Sequence, residues 1–535
     1  MFANVPVLSL IIWLPLLGSL VVLLLPGRSG GAIRWAGISF TFVSMVLAFG
    51  LYASYLPLAG GGEFAEHGSW LSVPLNTEVM QDTSVTSYRL AFDYSLGVDG
   101  ISMPLVLLTG IVASMASLAS VHIFKRQKTY FSLFLLLQTG MYGVFLARDV
   151  IWFFIFFELT LIPMFFLIGI WGYYGREKAA NRFLVYNGLG SAVMLLAFLI
   201  LIATLGFASV QTDGGIELTF SGSYDTMLAN LADPNAAAHQ AGAWLLSDNL
   251  QWAAFILLLV AFGIKLPIFP FHTWMLKVHA EAPPPVVMIH SGILLKMGVY
   301  GLIRFAAFLL PAQLHSWSAV LAVLGVINIL YGAVLACAQK EFKLVLAYSS
   351  ISHMGIVLLG IASLNETGFE GAVYQAVSHG LISALLFLIV GSLHERTGTT
   401  RIDELGGLAR AVPFTAGILL TAGLASLGLP GLSGFIGEFL SFLGLFSTMK
   451  ALTAIGTIGV LLAAVYMLRS VLAMTYGPLP EKLAGLKEAR FIETLPMVVL
   501  TAFIVLLGIY PSLLTDLMQH GFDGLLRELQ TGVGG

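Results

Sequence analysis

Four charged side chains lie within strongly hydrophobic stretches of this chain: Glu158, Lys265, Lys296 and Glu438. A charge at the depth of a lipid bilayer costs at least roughly 2.5–3.5 kcal/mol per residue, so such residues are rare unless they serve a function. Buried carboxylates and amines can exchange protons near neutral pH, because burial and neighbouring charges shift their pKa. We therefore predict a path for protons or ions, with these four residues as proton-transfer groups.

Histidines in neighbouring stretches could carry a proton between these charges, because the pKa of histidine lies near neutrality. His353 follows Ser349 by four residues, and His379 follows Gln375 by four. Residues four apart share one face of a helix, so each histidine belongs to a polar stripe on an otherwise apolar helix. We predict that His353 and His379 relay protons, with His272 as a weaker third candidate.

Other polar residues nearby carry less weight. His290 is a weaker relay candidate than the three histidines above. Lys277, His279 and Glu281 are assigned to a solvated loop, where one of them could help at a proton entrance. No short H-x₃-H spacing occurs, so the sequence gives little support to a metal site.

The composition excludes a soluble protein. The chain has 535 residues, 58% hydrophobic and 10% charged, and its mean hydropathy is +0.92. Such values are typical of a polytopic protein embedded in the lipid bilayer. The single cysteine, Cys337, excludes a disulfide framework and any iron–sulfur site held by cysteines. No nucleotide loop or haem motif is visible, so we expect neither a cofactor nor a nucleic-acid partner.

The hydrophobic stretches predict an all-α membrane fold of about fourteen transmembrane helices, since a span needs about 20 apolar residues. The two long connections, 56–100 and 207–250, are polar, glycine-rich and acidic, and we predict no soluble domain in them. The fourteen segments are 7–25, 32–55, 101–121, 129–147, 149–171, 181–206, 251–272, 284–310, 315–336, 341–362, 370–394, 413–448, 451–476 and 491–514.

The basic residues predict the orientation in the membrane. When the connection between the first two segments is called inside, 17 of the 22 Lys and Arg residues assigned to the connections fall on that side, Lys343 among them, and five fall outside, Arg148 and Arg304 among them. Short cytoplasmic loops carry an excess of Lys and Arg. We therefore predict that both termini face outside, together with both long connections.

Two segments look interrupted. Pro267 and Pro270 break the seventh, and Pro430 breaks the twelfth, which at 36 residues is too long for one span. Interrupted helices in corresponding positions are typical of inverted repeats, so we predict one repeat in helices 4–8 and a second in helices 9–13. The predicted division is 1–128 for helices 1–3, 129–310 and 315–476 for the two repeats, and 477–535 for helix 14 and a short tail.

Around these residues the chain resembles the antiporter-like subunits of respiratory complex I, and among them the subunit M type of bacterial NADH:quinone oxidoreductase. Glu438 favours this type, because subunits L and N and the related multisubunit cation/proton antiporters typically carry lysine there. Lys277 is a departure, since many relatives carry aspartate at that position. The resemblance covers nearly the whole chain, and its most specific motifs are FELTLIPMF (157–165), FGIKLPIFPFHTWM (262–275), HAEAPP (279–284), GILLKMGVYGLIRF (292–305), AYSSISHMG (347–355) and LGLPGLSGFIGEF (427–439).

The resemblance implies a proton-translocating subunit of the bacterial inner membrane, with other antiporter-like subunits as neighbours on both sides. Glu158 and Lys265 would form a gating pair. The midplane carriers would be Lys296, His353 and His379, and Glu438 would pass the proton outside. Quinone reduction in other subunits would drive transport, since this chain would hold no redox centre. The alternatives are a subunit of a cation/proton antiporter or of a membrane-bound hydrogenase, or a purely structural subunit.

Overall fold

A bundle of helices with a small sheet at one end makes up the computed structural model. It describes residues 5–56, 64–75, 85–212, 215–233, 235–236, 247–519 and 521–531. In these ranges the helices are α1 (Val7–Leu24), α2 (Gly30–Tyr55), α3 (Ser102–Ala119), α4 (Gln127–Leu146), α5 (Val150–Trp171), α6 (Arg176–Thr204), α7 (Tyr224–Ala232), α8 (Asp248–Lys265), α9 (Thr273–Glu281), α10 (Pro284–Ala307), α11 (Pro311–Ala338), α12 (Phe342–Ala362), α13 (Glu366–Thr397), α14 (Leu408–Ala411), α15 (Pro413–Ser426), α16 (Ser433–Thr448), α17 (Lys450–Tyr476), α18 (Phe491–Ile509), α19 (Ser512–Met518) and α20 (Asp523–Thr531).

The predicted membrane fold is confirmed. Thirteen helices among the described residues are long and apolar enough to span a bilayer, and α15 with α16 supplies a fourteenth span in two halves. The predicted seventh span, 251–272, contains α8 and the predicted break, and the chain becomes helical again beyond its predicted end, as α9, where a loop was expected. The relation of helices 4–8 to helices 9–13 as inverted repeats stays a prediction, as do the division boundaries.

Four helices form the core of the bundle: α3, α10, α12 and α13 are almost wholly buried along their most apolar stretches. A helix that is hydrophobic on all sides lies in a protein core or in a membrane, and the burial of these four places them in the core of the bundle. Lys296, His353 and His379 lie on three of these core helices. Their charges and ring nitrogens are therefore enclosed by protein rather than by lipid.

The break between α8 and α9 is satisfied by side chains of neighbouring elements. Helix α8 ends at Lys265, just before the prolines. Asn328 of α11 accepts a hydrogen bond from the backbone N–H of Phe269 at 2.8 Å, and Trp274 Nε1 donates to the carbonyl of Ile264 at 3.1 Å. Irregular backbone is tolerated at membrane depth when protein groups provide such partners. The predicted interruption is thus present, and α11 holds it in place.

The long connections form a sheet that the sequence analysis did not predict. It has the order β1-β2-β4-β3, in which β2 (Val85–Val98) pairs with β1 (Phe64–Leu75) antiparallel and with β4 (Gly215–Ser221) parallel. The fourth strand, β3 (Phe207–Thr212), pairs with β4 antiparallel. Because β2 and β4 come from different connections, both connections lie at one end of the bundle, which we call the sheet end.

Both described chain ends approach the sheet end. The backbone N–H groups of Leu8 and Ser9 donate to the carboxylate of Glu66 in β1 at 2.8 and 3.0 Å. Near the other terminus, the carbonyl of Leu513, which lies beyond the end of α18, accepts a hydrogen bond from Tyr52 Oη at 3.4 Å. Residues 1–4 and 532–535 lie outside the described residues. The opposite end of the bundle is called the far end.

A buried ionic cluster ties the sheet end to the core. Asp99 lies 2.5 Å from Arg304 and 3.2 Å from Arg148, and Arg148 also pairs with Asp225 at 3.1 Å. Both arginines were counted with the outside connections, yet they are only 4% and 5% exposed. Burial alone would raise the pKa of Asp99, but Arg304 and Arg148 outweigh it and hold that pKa well below its usual range.

Candidate functional site

Lys296 and His379 meet in the middle of the core. Nζ of Lys296 lies 2.8 Å from Nδ1 of His379 and 2.5 Å from the carbonyl oxygen of Ser291. In this part of α10 the helix widens into π-helical turns at His290–Leu294 and Leu302–Ala307, on either side of Lys296. Such turns are frequent at functional sites. Here the Ser291 carbonyl, five residues before Lys296, serves as a second acceptor for the amine.

His353 continues this row towards Glu438. The rings of His379 and His353 lie 5.4 Å apart between centroids. Nδ1 of His353 lies 3.2 Å from Oε1 of Glu438 and 3.3 Å from Nε2 of Gln375. A protonated Nδ1 can donate to the carboxylate, and a deprotonated one can accept from the amide. This nitrogen therefore has a partner in either protonation state.

Glu438 lies against the second helix break. The break places Gly428 at φ +78°, a backbone conformation that favours glycine. A Cβ atom at Gly428 would lie 2.6 Å from Oε2 of Glu438. Glu438 is 6% exposed, so its carboxylate is enclosed between His353 and the backbone of the break. The glycine thus turns the chain and also leaves room for the carboxylate.

Lys265 and Glu158 are neighbours without direct contact. Lys265, the last residue of α8, is 2% exposed, and its Nζ lies 4.7 Å from the ring centroid of Phe157 and 5.8 Å from that of Phe183. Glu158 acts electrostatically on Lys265, but no ion pair within 4.0 Å joins these two described residues. Oε1 of Glu158 is buried and has no hydrogen-bond partner in the described part of the chain. The predicted gating pair is therefore open in this structure.

The sequence analysis missed a buried histidine pair between the two lysines. His279 was assigned to a solvated loop, but the chain resumes a helix after the break and His279 is fully buried in α9. Nε2 of His279 lies 3.0 Å from Nδ1 of His290. His290 interacts electrostatically with both Lys265 and Lys296. The pair thus links the broken helix to the core. The H-x-E-x-P-P pattern at 279–284 carries no signal that would have revealed this contact.

His272 lies apart from the row. Its Nε2 lies 3.2 Å from Tyr331 Oη, and its ring stacks on Phe269 at 5.8 Å between centroids. None of its hydrogen bonds or ring contacts within the described ranges reaches another predicted proton-transfer residue. Lys277 is exposed on α9, as expected for a solvated side chain.

The row offers nitrogen and oxygen atoms that can pass a proton in one direction. Lys296 can donate to Nδ1 of His379, and a histidine that gains a proton on one nitrogen can release one from the other. Nε2 of His353 is buried and lacks a hydrogen-bond partner among the described residues, while Nδ1 faces Glu438. His353 can therefore accept at Nε2 and donate at Nδ1. The contacts of Lys296, His379, His353 and Glu438 thus form a continuous row from α10 to α16.

Comparisons with known proteins fit this geometry. Residues 147–463 match the family described as NADH:quinone oxidoreductase/Mrp antiporter, transmembrane, and residues 70–146 match the amino terminus of NADH-ubiquinone oxidoreductase chain 4. Proteins named NAD(P)H-quinone oxidoreductase chain 4 from a Picosynechococcus species and from Synechococcus elongatus are each 38% identical, over 96% and 99% of this chain and 90% and 93% of theirs. The chain belongs to the NADH:quinone oxidoreductase chain 4 family. The resemblance drawn from the motifs is thereby confirmed.

Chains of three solved complexes share the fold. A chain of respiratory complex I from Thermus thermophilus with bound NADH aligns with a TM-score of 0.80 at 27% identity, covering 98% of this chain and 99% of that one. A chain of the archaeal membrane-bound sulfane sulfur reductase gives 0.78 at 26% identity, covering 96% and 78%. A chain of the Mrp complex from a Dietzia species gives 0.75 at 20% identity over 98% of both, and this likeness concerns the fold alone.

Proposed function

We propose that this chain is a proton-translocating membrane subunit of an NADH:quinone oxidoreductase. The observation that carries the proposal is the buried row from Lys296 through His379 and His353 to Glu438, with contacts of 2.8 and 3.2 Å at its two ends. Ionisable groups inside a membrane protein are expensive to bury, and rows of them are typical of proton relays. Membership of the NADH:quinone oxidoreductase chain 4 family supports a link between this row and quinone reduction.

The proposed path begins at Lys265. When Glu158 moves close, the ion pair stabilises the charged form of Lys265; when Glu158 withdraws, the buried ammonium releases its proton. The His279–His290 pair passes that proton towards Lys296. Electron transfer in other subunits of the complex is the proposed driving force.

The second half of the path ends at Glu438. Lys296 passes the proton to His379, and His353 delivers it to the carboxylate. Release then occurs towards the sheet end, which we assign to the outside of the bacterial inner membrane on the basis of the Lys and Arg distribution. In this scheme both termini face outside. The far end is the side from which protons are taken up.

Neighbouring membrane subunits are the proposed partners. Glu158 is half-buried on a face of α5 where Ile162 and Phe166 are 58% and 41% exposed. A carboxylate on such a face is costly against lipid, and a packed neighbour would remove that cost. A second apolar face includes Phe439 of α16, 50% exposed, beside Glu438. We propose that antiporter-like subunits pack against both faces.

A cation/proton antiporter subunit is the second reading, because the same family description covers the Mrp antiporter. Glu438 favours the oxidoreductase, since lysine is typical of the antiporter subunits at this position. The likeness to a chain of the sulfane sulfur reductase is also compatible with a subunit of another membrane-bound redox complex. Soluble flavin and iron–sulfur subunits encoded beside this chain would favour the first reading.

Substitution of Lys265 tests the proposed function. In the assembled complex, Lys265→Ala should reduce NADH-driven proton uptake into inverted membrane vesicles by at least about tenfold, because a positioned proton carrier typically contributes 10²–10⁴-fold. Lys277→Ala is the matched control, since Lys277 is exposed on the adjacent helix, and it should pump normally. Normal pumping by Lys265→Ala at normal complex levels would refute the proposal.

A further inference from the structure

Four titratable side chains gather at the far end, outside the row described above. Glu281, Glu341, Lys343 and His394 come from the end of α9, the residue before α12, the first turn of α12 and the last turn of α13. We call them the far-end cluster. Lys343 was counted with the inside connections, but the residue is only 8% exposed. Such a buried lysine is unusual at the end of a helical bundle, where solvent is close.

Tyr173 lies at the centre of the far-end cluster. Nζ of Lys343 lies 4.0 Å from the centroid of its ring, and the ring of His394 meets it edge-on at 5.0 Å. The N–H of Tyr173 donates to the carbonyl of Glu281 at 2.7 Å, and the N–H of Gly175 donates to the Glu281 carboxylate at 2.8 Å. The turn between α5 and α6 therefore holds Glu281 and Lys343 in one place.

Lys343 has charged neighbours without being paired to any of them. It interacts electrostatically with Glu341 and Glu281, and His394 interacts with both Lys343 and Glu341. No ion pair within 4.0 Å involves Lys343 among the described residues, and Tyr173 provides only a cation–π contact. Burial raises the pKa of Tyr173 to about 12, so the phenol stays neutral. The amine of Lys343 is thus positioned by its surroundings but remains free to gain or lose a proton.

Other groups complete the surroundings of the far-end cluster. Thr400 Oγ1 donates a short hydrogen bond to Glu341, Arg401 acts electrostatically on Glu341, and Glu395 acts on Tyr173. Thr400 and Arg401 thus both interact with Glu341. Glu281 and His394 are the other titratable neighbours of Lys343.

Helix α13 sets the far-end cluster in line with the relay. His379, Phe387 and His394 lie eight and seven residues apart, about two turns each, and so share a face. His379 contacts Lys296, Phe387 contacts His279 at 5.0 Å between centroids, and His394 contacts Tyr173. With a rise of 1.5 Å per residue, His394 lies about 22 Å from His379, and His279 falls about midway. Glu281 ends the helix that carries His279, two residues further along, and so connects α9 to the far-end cluster.

We propose that Lys343, with Glu281 and His394, is the inside mouth of the proton path and supplies, through His279, the protons that Lys265 takes up. The proposal rests on the proposed function. The ammonium of Lys343 gives its proton to Glu281, which passes it on to His279. A proton that His394 takes up from water then restores the ammonium. No bond other than those to the moving proton changes.

Lys343→Arg separates proton transfer from a structural role. Arginine keeps the positive charge and the contact with Tyr173 but does not release a proton at physiological pH. In inverted vesicles the far end faces the medium. We expect Lys343→Arg and Lys343→Ala both to slow NADH-driven proton uptake by at least about tenfold at pH 8, because a positioned carrier typically contributes 10²–10⁴-fold. Because free protons become scarcer as pH rises, the defect should shrink at pH 6.

Chemical rescue and a control complete the test. Ethylamine added to Lys343→Ala vesicles should restore part of the uptake, because it can replace the missing amine, while Lys277→Ala should match the wild type. Wild-type uptake at pH 8 by Lys343→Arg would overturn the mouth assignment and leave Lys343 a structural cation. If Lys343→Ala does not assemble, Lys343→Arg decides alone. Failure of the wider function has a different signature, namely normal pumping by Lys265→Ala.

Discussion

The amine of Lys296 and Nδ1 of His379 lie 2.8 Å apart although the two residues are 83 positions apart in sequence. Both lie on core helices, α10 and α13, whose most apolar stretches are fully buried. A proton can move between these nitrogens without any movement of the backbone. This contact joins the half of the chain that contains Lys265 to the half that contains Glu438, and the proposed path depends on it.

Glu438 should need a carboxylate rather than a particular length. Glu438→Asp should retain substantial proton uptake because it still titrates, although its contact with His353, 3.2 Å in the native chain, lengthens. Glu438→Gln keeps the shape but cannot carry a proton, so uptake should fall at least about tenfold. NADH-driven uptake normalised to assembled complex is the measurement. Equal activity of the Gln and Asp variants would mean that Glu438 is structural.

The Asp99 cluster should be important for stability. Asp99→Asn removes the carboxylate that Arg304 and Arg148 share in a buried place, and breaking such a pair costs about 3–5 kcal/mol. The lowered pKa of Asp99 means that its stabilisation is present above the unfolded pKa and is lost only as pH falls through the folded one. The decrease in Tm of the variant should therefore be constant between about pH 5 and 8, well above both pKa values.

Asp403→Asn is the control for this prediction. Asp403 pairs with Arg401 at 2.8 Å, but both side chains are largely exposed, at 59% and 42%. Exposed pairs contribute little to stability, so the Tm should not change. An Asp99→Asn protein as stable as the wild type would show that the buried cluster is not what holds the sheet end.

The topology can be read with reporter fusions. A phosphatase fused after Gly535 should be active and a fluorescent protein there dark, because the predicted C-terminus faces outside. Fusions made after Arg126, at the far end of the bundle, should show the opposite pattern. Activity of both phosphatase fusions, or the reverse assignment, would contradict the orientation and with it the direction of transport.

The helices and the presence of charged residues inside them could be predicted from the sequence for a physical reason. Charges such as Lys265 and Glu438 are conspicuous in apolar segments, and proline marks helix breaks, so both can be read locally. Contacts between distant helices cannot. Nothing in the spacing indicates that His279 bonds to His290 across a proline-rich turn, or that Lys343 folds under Tyr173 instead of facing water.

The sheet was missed although a signal was present. Residues 88–96 alternate apolar and polar side chains, with Leu90, Phe92 and Leu96 on the packed face, a pattern typical of a half-buried strand. The many glycine and acidic residues in the connections made this alternating pattern hard to recognise. The burial of Arg304, which is counted with the outside connections, could not be predicted for a related reason: its partner Asp99 lies 205 residues away.

Proton uptake by a Lys296→Met complex tests the central claim most directly. Methionine has a similar length and is well suited to a buried site, but it has no proton to carry. Measured in inverted vesicles with NADH and normalised to assembled complex, uptake should fall at least about tenfold, while Lys450→Met, with its change at the exposed start of α17, should match the wild type. Wild-type uptake by Lys296→Met in a fully assembled complex would contradict the proposed path.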